Sequence, residues 1–274
     1  MPQKRIWFVT GASRGFGRLW SEAALARGDK VAATARNIDD LADVLATYGD
    51  NVLAQTVDVT DRSAVFNAVA VAHRHFGRID VVVSGAGYGY MGAVEELDID
   101  AVRANFETNV FGSLSVIQAV LPVLRQQGSG HILTVSSIGG ILSFPTGGAY
   151  TATKFAVEAF SEALAGEVAG FGIKVTIIEP GSFATGFGAS AITGPSIDAY
   201  DVVRQAVRAG FKPADQGDPS ATAAAILNVV DAEEPPLRLV LGATTIPRFR
   251  DAYEQRIKTW EQWEDVSIAA HGTR

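Results

Sequence analysis

The chain has 274 residues, 47% apolar and 19% charged, a balance that supports a sizeable buried core and excludes a disordered or coiled-coil chain. Lys and Arg number 23 against 30 Asp and Glu, a formal net charge of −7 dispersed along the chain, which disfavours nucleic acid or an anionic membrane as partner. Cysteine is absent, removing disulfides, thiolate nucleophiles, zinc–thiolate sites and iron–sulfur clusters together.

Met1-Pro2-Gln3-Lys4-Arg5 leads into Ile6-Trp7-Phe8-Val9 and then a glycine loop, too short an apolar run for a signal sequence. No stretch reaches the roughly 18 uncharged apolar residues of a spanning helix, so a soluble, cytoplasmic protein is expected. Short β-branched runs then alternate with helical stretches, at 5–10, 15–28, 30–36, 39–48, 52–58, 62–76, 79–84, 100–127, 130–136, 150–170 and 173–179. Nearly uninterrupted apolar strands, such as Val81-Val82-Val83 and Val175-Thr176-Ile177-Ile178, imply burial on both faces. Residues 182–217 mix Gly, Ser, Thr and Pro with aromatics and read as a lid carrying a short helix near 199–210. A helix near 219–231, a strand near 237–241 and a tail helix near 247–264 follow, and Ser267 to Arg274 is expected to fray. The pattern predicts α/β architecture: a single Rossmann-type, doubly wound domain over 1–274, with a seven-stranded parallel sheet flanked by helices on both faces. Its ligand crevice would lie beyond the carboxyl ends of the strands.

The first strand runs into Gly11-Ala12-Ser13-Arg14-Gly15-Phe16-Gly17 and a helix. Such glycines permit a tight turn, backbone approach to a pyrophosphate and close packing of helix on strand, and the helix N-terminus favours phosphate. The spacing is Gly-x-x-x-Gly-x-Gly rather than the commoner Gly-x-Gly-x-x-Gly. Together with Asp58-Val59, Asn109-Val-Phe-Gly112, Ser136-Ser137, Tyr150-Thr-Ala-Thr-Lys154 and Pro180-Gly181, it resembles the short-chain dehydrogenase/reductase family over residues 5–245. The resemblance implies that Asp58 and Val59 hold the adenine ring, that Ala86 and Gly87 approach the adenosine ribose, and that Pro180, Gly181, Phe183 and Thr185 orient the nicotinamide carboxamide. It makes Asn109 a fourth catalytic residue, holding a water in a proton relay to the lysine. Where the family usually reads Asn-Asn-Ala-Gly, this chain has Ser84-Gly85-Ala86-Gly87, which lacks the side-chain amides that tie neighbouring strands.

The end of the second strand, Val31-Ala-Ala-Thr-Ala35-Arg36, carries no carboxylate before Asp39. An NAD site usually places one there for the ribose 2′-hydroxyl, whereas Arg36 and Arg14 suit a 2′-phosphate, so NADP, with NADPH preferred over NADH, is the expected cofactor. Tyr150 and Lys154, four apart at a helix start, share one face. A nearby ammonium and a cationic nicotinamide would favour the phenolate, letting Tyr150 exchange a proton with a carbonyl or alcohol oxygen. Ser137 could hydrogen-bond the same oxygen, with Ser136 turned away by strand alternation. The four histidines lack metal-like or triad-like context, and no metal is needed.

Tyr88, Tyr90, Gly139, Ile141, Leu142, Phe144, Phe183, Phe187 and part of the lid around 190–211 are expected to face the substrate, with Ser137, Leu142, Phe144, Tyr150 and Phe187 binding it. With no obvious cationic anchor among them, a small hydrophobic ketone or aldehyde, or the matching secondary alcohol, is expected. The Ala35-Arg36 and Glu179-Pro180-Gly181 segments resemble the NADP-dependent carbonyl and hydroxysteroid reductase branch. The family's usual interface over 100–127 and 150–170 implies a homodimer or homotetramer, unless the tail helix with Trp260 and Trp263 covers that surface. Three alternatives stay open on sequence: a mainly oxidative alcohol dehydrogenase, a non-catalytic dinucleotide sensor and a sugar-nucleotide epimerase.

Overall fold

A computed structural model of the chain describes residues 4–272. It begins with β1 (Ile6–Thr10), α1 (Gly15–Ala26), β2 (Lys30–Ala35), α2 (Ala42–Tyr48), β3 (Val52–Thr56), α3 (Arg62–Phe76) and β4 (Val81–Ser84). A two-residue strand, β5 (Tyr90–Met91), precedes α4 (Ile99–Phe106), α5 (Gly112–Gln127), β6 (Gly130–Val135), α6 (Gly148–Val168) and β7 (Ile173–Pro180). The chain continues through β8 (Ile192–Thr193), α7 (Asp201–Gly210), α8 (Thr222–Asp231), β9 (Arg238–Leu241), α9 (Thr245–Gln262) and α10 (Glu264–His271).

Seven strands form one sheet in the order β3-β2-β1-β4-β6-β7-β9, every pair parallel, giving the expected single Rossmann-like α/β domain. Strand alternation builds two cores. Trp7 and Val9 on β1, Val31 and Ala33 on β2, and Val81 and Val83 on β4 pack with side chains of α1, α2 and α8. Phe8, Ala32, Val82 and Ile132 pack on the other face with α3, α5 and α6. Each large side chain buried this way contributes about 1.5–3 kcal/mol. Buried Trp7 and Trp20 satisfy their indole N–H groups on Asp29 Oδ2 and Thr222 Oγ1, both at 2.8 Å, and the second bond ties α1 to α8.

The chain departs from β1 toward β2 on one side and β4 on the other, so the carboxyl ends of β1, β4, β6 and β7 open onto one crevice. The expected helix over 100–127 is interrupted by a π-turn, Glu107–Phe111, between α4 and α5. The whole helical run Ile99–Gln127 is long and apolar enough to cross a membrane by length and composition, but more than half of its most apolar window is buried in the domain.

The tail differs from expectation. α10 carries the chain in helix to His271, with Glu264 and Asp265 in its first turn and His271 in its last, charges that suit the helix dipole. Of the stretch expected to fray, only Thr273 and Arg274 lie outside the described residues. Trp260 and Trp263 are each 63% exposed rather than packed over α5 or α6. Instead Thr245 seats α9 beneath Gly181, and Arg256 Nη2 donates to the Ile141 carbonyl at 3.0 Å.

Candidate active site

The crevice is a cavity of about 1440 Å³. Its floor begins at the glycine loop. Gly11 and Gly15 adopt φ of +72° and +57°, a region strained for any side chain, and a Cβ on Gly17 would collide with the Gly11 carbonyl oxygen. Arg14 precedes α1 without capping it, and no acidic residue occupies the first turn, so this N-terminus keeps its N–H groups and positive dipole for an anion. The wall includes Gly11, Ser13, Arg14, Gly15, Phe16 and Gly17, then Arg36, Asp58, Val59, Ala86 and Gly87, and finally Pro180, Gly181, Phe183 and Thr185. Every residue singled out in the sequence for the dinucleotide therefore faces one space. Asp58 accepts from the amide and hydroxyl of Thr60 at 2.9 and 2.8 Å; these bonds, with a smaller contribution from Arg36, hold its carboxyl below its ordinary range.

The amides missing at 84–85 are replaced by hydroxyls. Thr10 Oγ1 accepts from Gly85 N at 3.1 Å and Ala86 N at 3.4 Å, joining the ends of β1 and β4, and Ser84 Oγ bonds Ser113 Oγ at 2.8 Å, joining β4 to α5. An aromatic stack on the buried Trp20, which nothing local in the sequence announces, ties loop to lid. Phe16 stacks on Trp20 at 5.2 Å and meets the edge of Phe183 at 5.4 Å.

Ser137, Tyr150 and Lys154 share the wall at the far end of the cavity. Ser137, just past β6, accepts from Gly139 N at 3.0 Å, while Ser136 beside it is buried. Tyr150 and Lys154 lie in the first two turns of α6, both less than a tenth exposed. Lys154 Nζ makes its hydrogen bond to the backbone and not to the phenol. It donates to the Val135 carbonyl at 2.8 Å, and it lies 5.8 Å from the Tyr150 ring centre. Burial consequently pushes the phenol up to about 12, opposed by the Ser137 hydroxyl, and pushes the Lys154 ammonium down to about 8, opposed by Glu158. The protein by itself thus favours neutral phenol; the phenolate expected from the sequence depended on the ammonium acting together with a cationic nicotinamide.

Asn109 is the one expected catalytic residue off the cavity wall. In the π-turn, its Oδ1 accepts from Tyr88 N at 3.0 Å, and its Nδ2 donates to Tyr88 O at 2.9 Å and to Thr153 Oγ1 at 3.0 Å. The side chain is fully used in clamping residues 87–88 to α6, and Gly87 is required there because a Cβ would lie 2.9 Å from Asn109 Oδ1. π-Turns commonly mark functional positions in helices.

On the lid side, Tyr88, Leu142, Phe144 and Phe187 line the cavity, and the Phe187 ring packs 5.2 Å from that of Tyr150. Tyr90, Gly139 and Ile141 do not line it. Tyr90 is buried with its hydroxyl accepting from Asp98 N at 3.0 Å, and Gly139 and Ile141 pack inward. Of the lid around 190–211, also expected to face the substrate, Ile192, Val207 and Phe211 line the cavity, the last two from α7 and its end. Wall residues missed in the sequence include Met91 and Arg248; Arg248 had no signal before α9 was placed. The lid is fastened by parallel pairing of β5 with β8 and by buried Glu96, which accepts from Ile197 N at 2.7 Å and pairs with Arg204.

Residues 5–195 match the family described as short chain dehydrogenase. Among relatives, the chain is 41% identical over 271 residues to Oxidoreductase BOA17 of Botryotinia fuckeliana, covering 97% of this chain and 99% of that one. It is 37% identical over 245 residues to 3-ketodihydrosphingosine reductase of Bacteroides thetaiotaomicron, covering 88% of each. A short-chain dehydrogenase from Streptomyces avermitilis, of known crystal structure, superimposes with a TM-score of 0.90 at 41% identity, covering 98% of this chain and 99% of that one. The protein belongs to the short-chain dehydrogenase family of nicotinamide-dependent oxidoreductases.

Proposed function

We propose that the protein is an NADP(H)-dependent reductase of hydrophobic ketones or aldehydes, of the carbonyl reductase type, able to run in reverse on the matching secondary alcohols. The observation carrying this reading is that Ser137 and the buried Tyr150 and Lys154 share one cavity with an uncapped glycine loop and two arginines, Arg14 and Arg36. The dinucleotide supplies the hydride when bound. Arg14 and Arg36 would hold its 2′-phosphate, and the absence of a carboxylate at the end of β2 supports NADPH over NADH. Asp58 and Val59 hold the adenine end, and Pro180, Gly181, Phe183 and Thr185 the nicotinamide end.

Tyr150, a neutral phenol at neutral pH, donates its proton to the carbonyl oxygen in the reductive direction. Ser137 donates a hydrogen bond to the same oxygen as negative charge develops on it. Lys154 supplies a positive field along α6 that offsets the phenolate left behind, and Asn109 holds the 87–88 segment and α6 in register. Leu142, Phe144 and Phe187, with Met91, Val207 and Phe211, offer an apolar wall to the rest of the substrate. The relative named as a ketodihydrosphingosine reductase supports a ketone substrate. A homodimer or homotetramer through α5 and α6 belongs to the same reading; exposed Phe111, Phe155 and Phe160 on or beside these helices support it.

A panel of aryl, long-chain and steroid ketones, with NADPH and NADH compared, tests the assignment. NADPH consumption with at least one ketone, faster than with NADH, is expected. NADPH binding without reduction of any carbonyl or oxidation of any alcohol would overturn it.

A further inference from the structure

A cluster of buried charges lies directly behind Lys154, off the reacting side of the cavity. Glu158 follows Lys154 by one turn of α6 and so shares its face. The side chains of Glu158 and Glu179 are 6% and 2% exposed, and both converge on Arg238. Arg238 Nη1 donates to Glu158 Oε2 and, at 2.8 Å, to Glu179 Oε1, while Nη2 reaches the exposed Glu162 at 2.9 Å. Glu158 Oε1 and Ser136 Oγ converge over Gly140, where a Cβ would collide with the hydroxyl and lie 2.8 Å from the carboxylate oxygen. Ser136 directly follows Val135, whose carbonyl receives the Lys154 ammonium. The cluster therefore connects α6, which carries Tyr150 and Lys154, to the strand that feeds Pro180 and Gly181.

Glu158 and Glu179 share one guanidinium and hold each other's proton, and the cations that face the Glu158 carboxyl are Arg238 and Lys154. Burial pushes the carboxyls of both Glu158 and Glu179 up, the latter to about 7, with Arg238 opposing; Glu158 in turn pulls the Lys154 ammonium up against its own burial. The charged groups facing Glu158 are Lys154 and Glu162 from α6, Glu179 from β7 and Arg238 from β9.

We propose that Glu158 is a positioning residue for the reaction: its carboxylate, fixed by Arg238 one helical turn behind Lys154, keeps that ammonium charged at the working pH. This rests on the reading of Tyr150 and Lys154 as the acid–base pair. If the cluster served only to fasten α6 to β7 and β9, its loss would lower the melting temperature without moving the Lys154 titration.

The test is the pH dependence of acetic anhydride labelling at Lys154 in the folded protein, read by mass spectrometry, beside the alkaline limb of NADPH-linked turnover. Glu158→Gln is expected to lower both midpoints by about one pH unit, since an adjacent buried charge is worth that much. Glu158→Asp is expected to bring them back toward wild type, and Glu162→Gln to leave them in place. Glu179→Gln removes the carboxylate that competes for Arg238, so its midpoint stays or rises; this variant carries the test if Glu158→Gln does not fold. An unmoved midpoint in Glu158→Gln, or a fall in Glu179→Gln, overturns the proposal. A shifted labelling midpoint in a protein that reduces no carbonyl would instead sink the reductase reading and leave the charge coupling standing.

Discussion

The floor of the cavity and the lid above it are built from different materials. The floor hangs from the ends of β1, β4, β6 and β7, where backbone geometry and buried hydrogen bonds leave little freedom: Thr10 ties two strand ends, Asn109 clamps Tyr88 through two bonds and Thr153 through a third, and Gly11, Gly15, Gly17 and Gly87 fit only without side chains. The lid has no such frame. α7 contributes no buried residue, and the lid is held by a two-residue strand pairing, the Phe183–Gly217 contact and the Arg204 clamp on Glu96. The proposed function places chemistry on the rigid part and substrate choice on the part that can be re-tailored without disturbing the sheet.

The sharpest way to separate the two is to damage each in turn. Tyr150→Phe strikes the floor and is expected to reduce kcat by about 10³-fold, within the usual range for a general acid, while NADPH affinity by fluorescence titration stays within about twofold. Arg14 and Arg36 replaced together by Ala are expected to weaken NADPH binding by about 100-fold and NADH by less than about threefold, since each charge-assisted bond contributes about 1.5–3 kcal/mol. Equal losses for both dinucleotides would remove the 2′-phosphate assignment. Arg204→Ala strikes the lid alone: the KM for an apolar ketone is expected to rise about tenfold or less, with the NADPH dissociation constant unchanged. A matching loss of NADPH affinity would mean that lid and floor are not separable in this way.

The smallest effect concerns pH. Burial raises the folded Glu179 carboxyl to about 7 from an ordinary 4.5, so the folded state binds more protons between those values. The associated stability is complete below the ordinary value and is lost as pH rises through about 7. Melting temperature is expected to fall across that window, and Glu179→Gln to flatten the fall; an unchanged slope in the variant would show that the floor's charge cluster is not what titrates.

The same contrast governs how much was legible in the sequence. The sheet and the floor were readable because strand ends carry fixed chemistry: the apolar runs of β4 and β7 announce burial on both faces, and Gly17 or Lys154 has one usable place in this fold. Long-range partners were not readable. Nothing local distinguishes a Lys154 that bonds Val135 from one that bonds the phenol, or shows that the Asn109 side chain would turn from the cavity to Tyr88, because the π-turn that aims it is a tertiary outcome. Within the lid, aromatic residues such as Tyr90 and Phe187 look alike in sequence, yet one is buried on Asp98 and the other faces Tyr150. The tail was misjudged for a related reason: small polar and alanine residues near a terminus suggest fraying, but charges matched to the helix dipole sustain α10.

The central claim is hydride transfer between NADPH and an apolar carbonyl inside this cavity, and isotope transfer tests it most directly. With NADPH deuterated at the transferring position of its nicotinamide and a ketone selected from the panel, mass spectrometry of the alcohol is expected to find one deuterium on the carbinol carbon with wild type, and about a thousandth as much labelled alcohol in the same time with Tyr150→Phe. Bound NADPH with no deuterium delivered to any carbonyl, or equal delivery by both proteins, would contradict it.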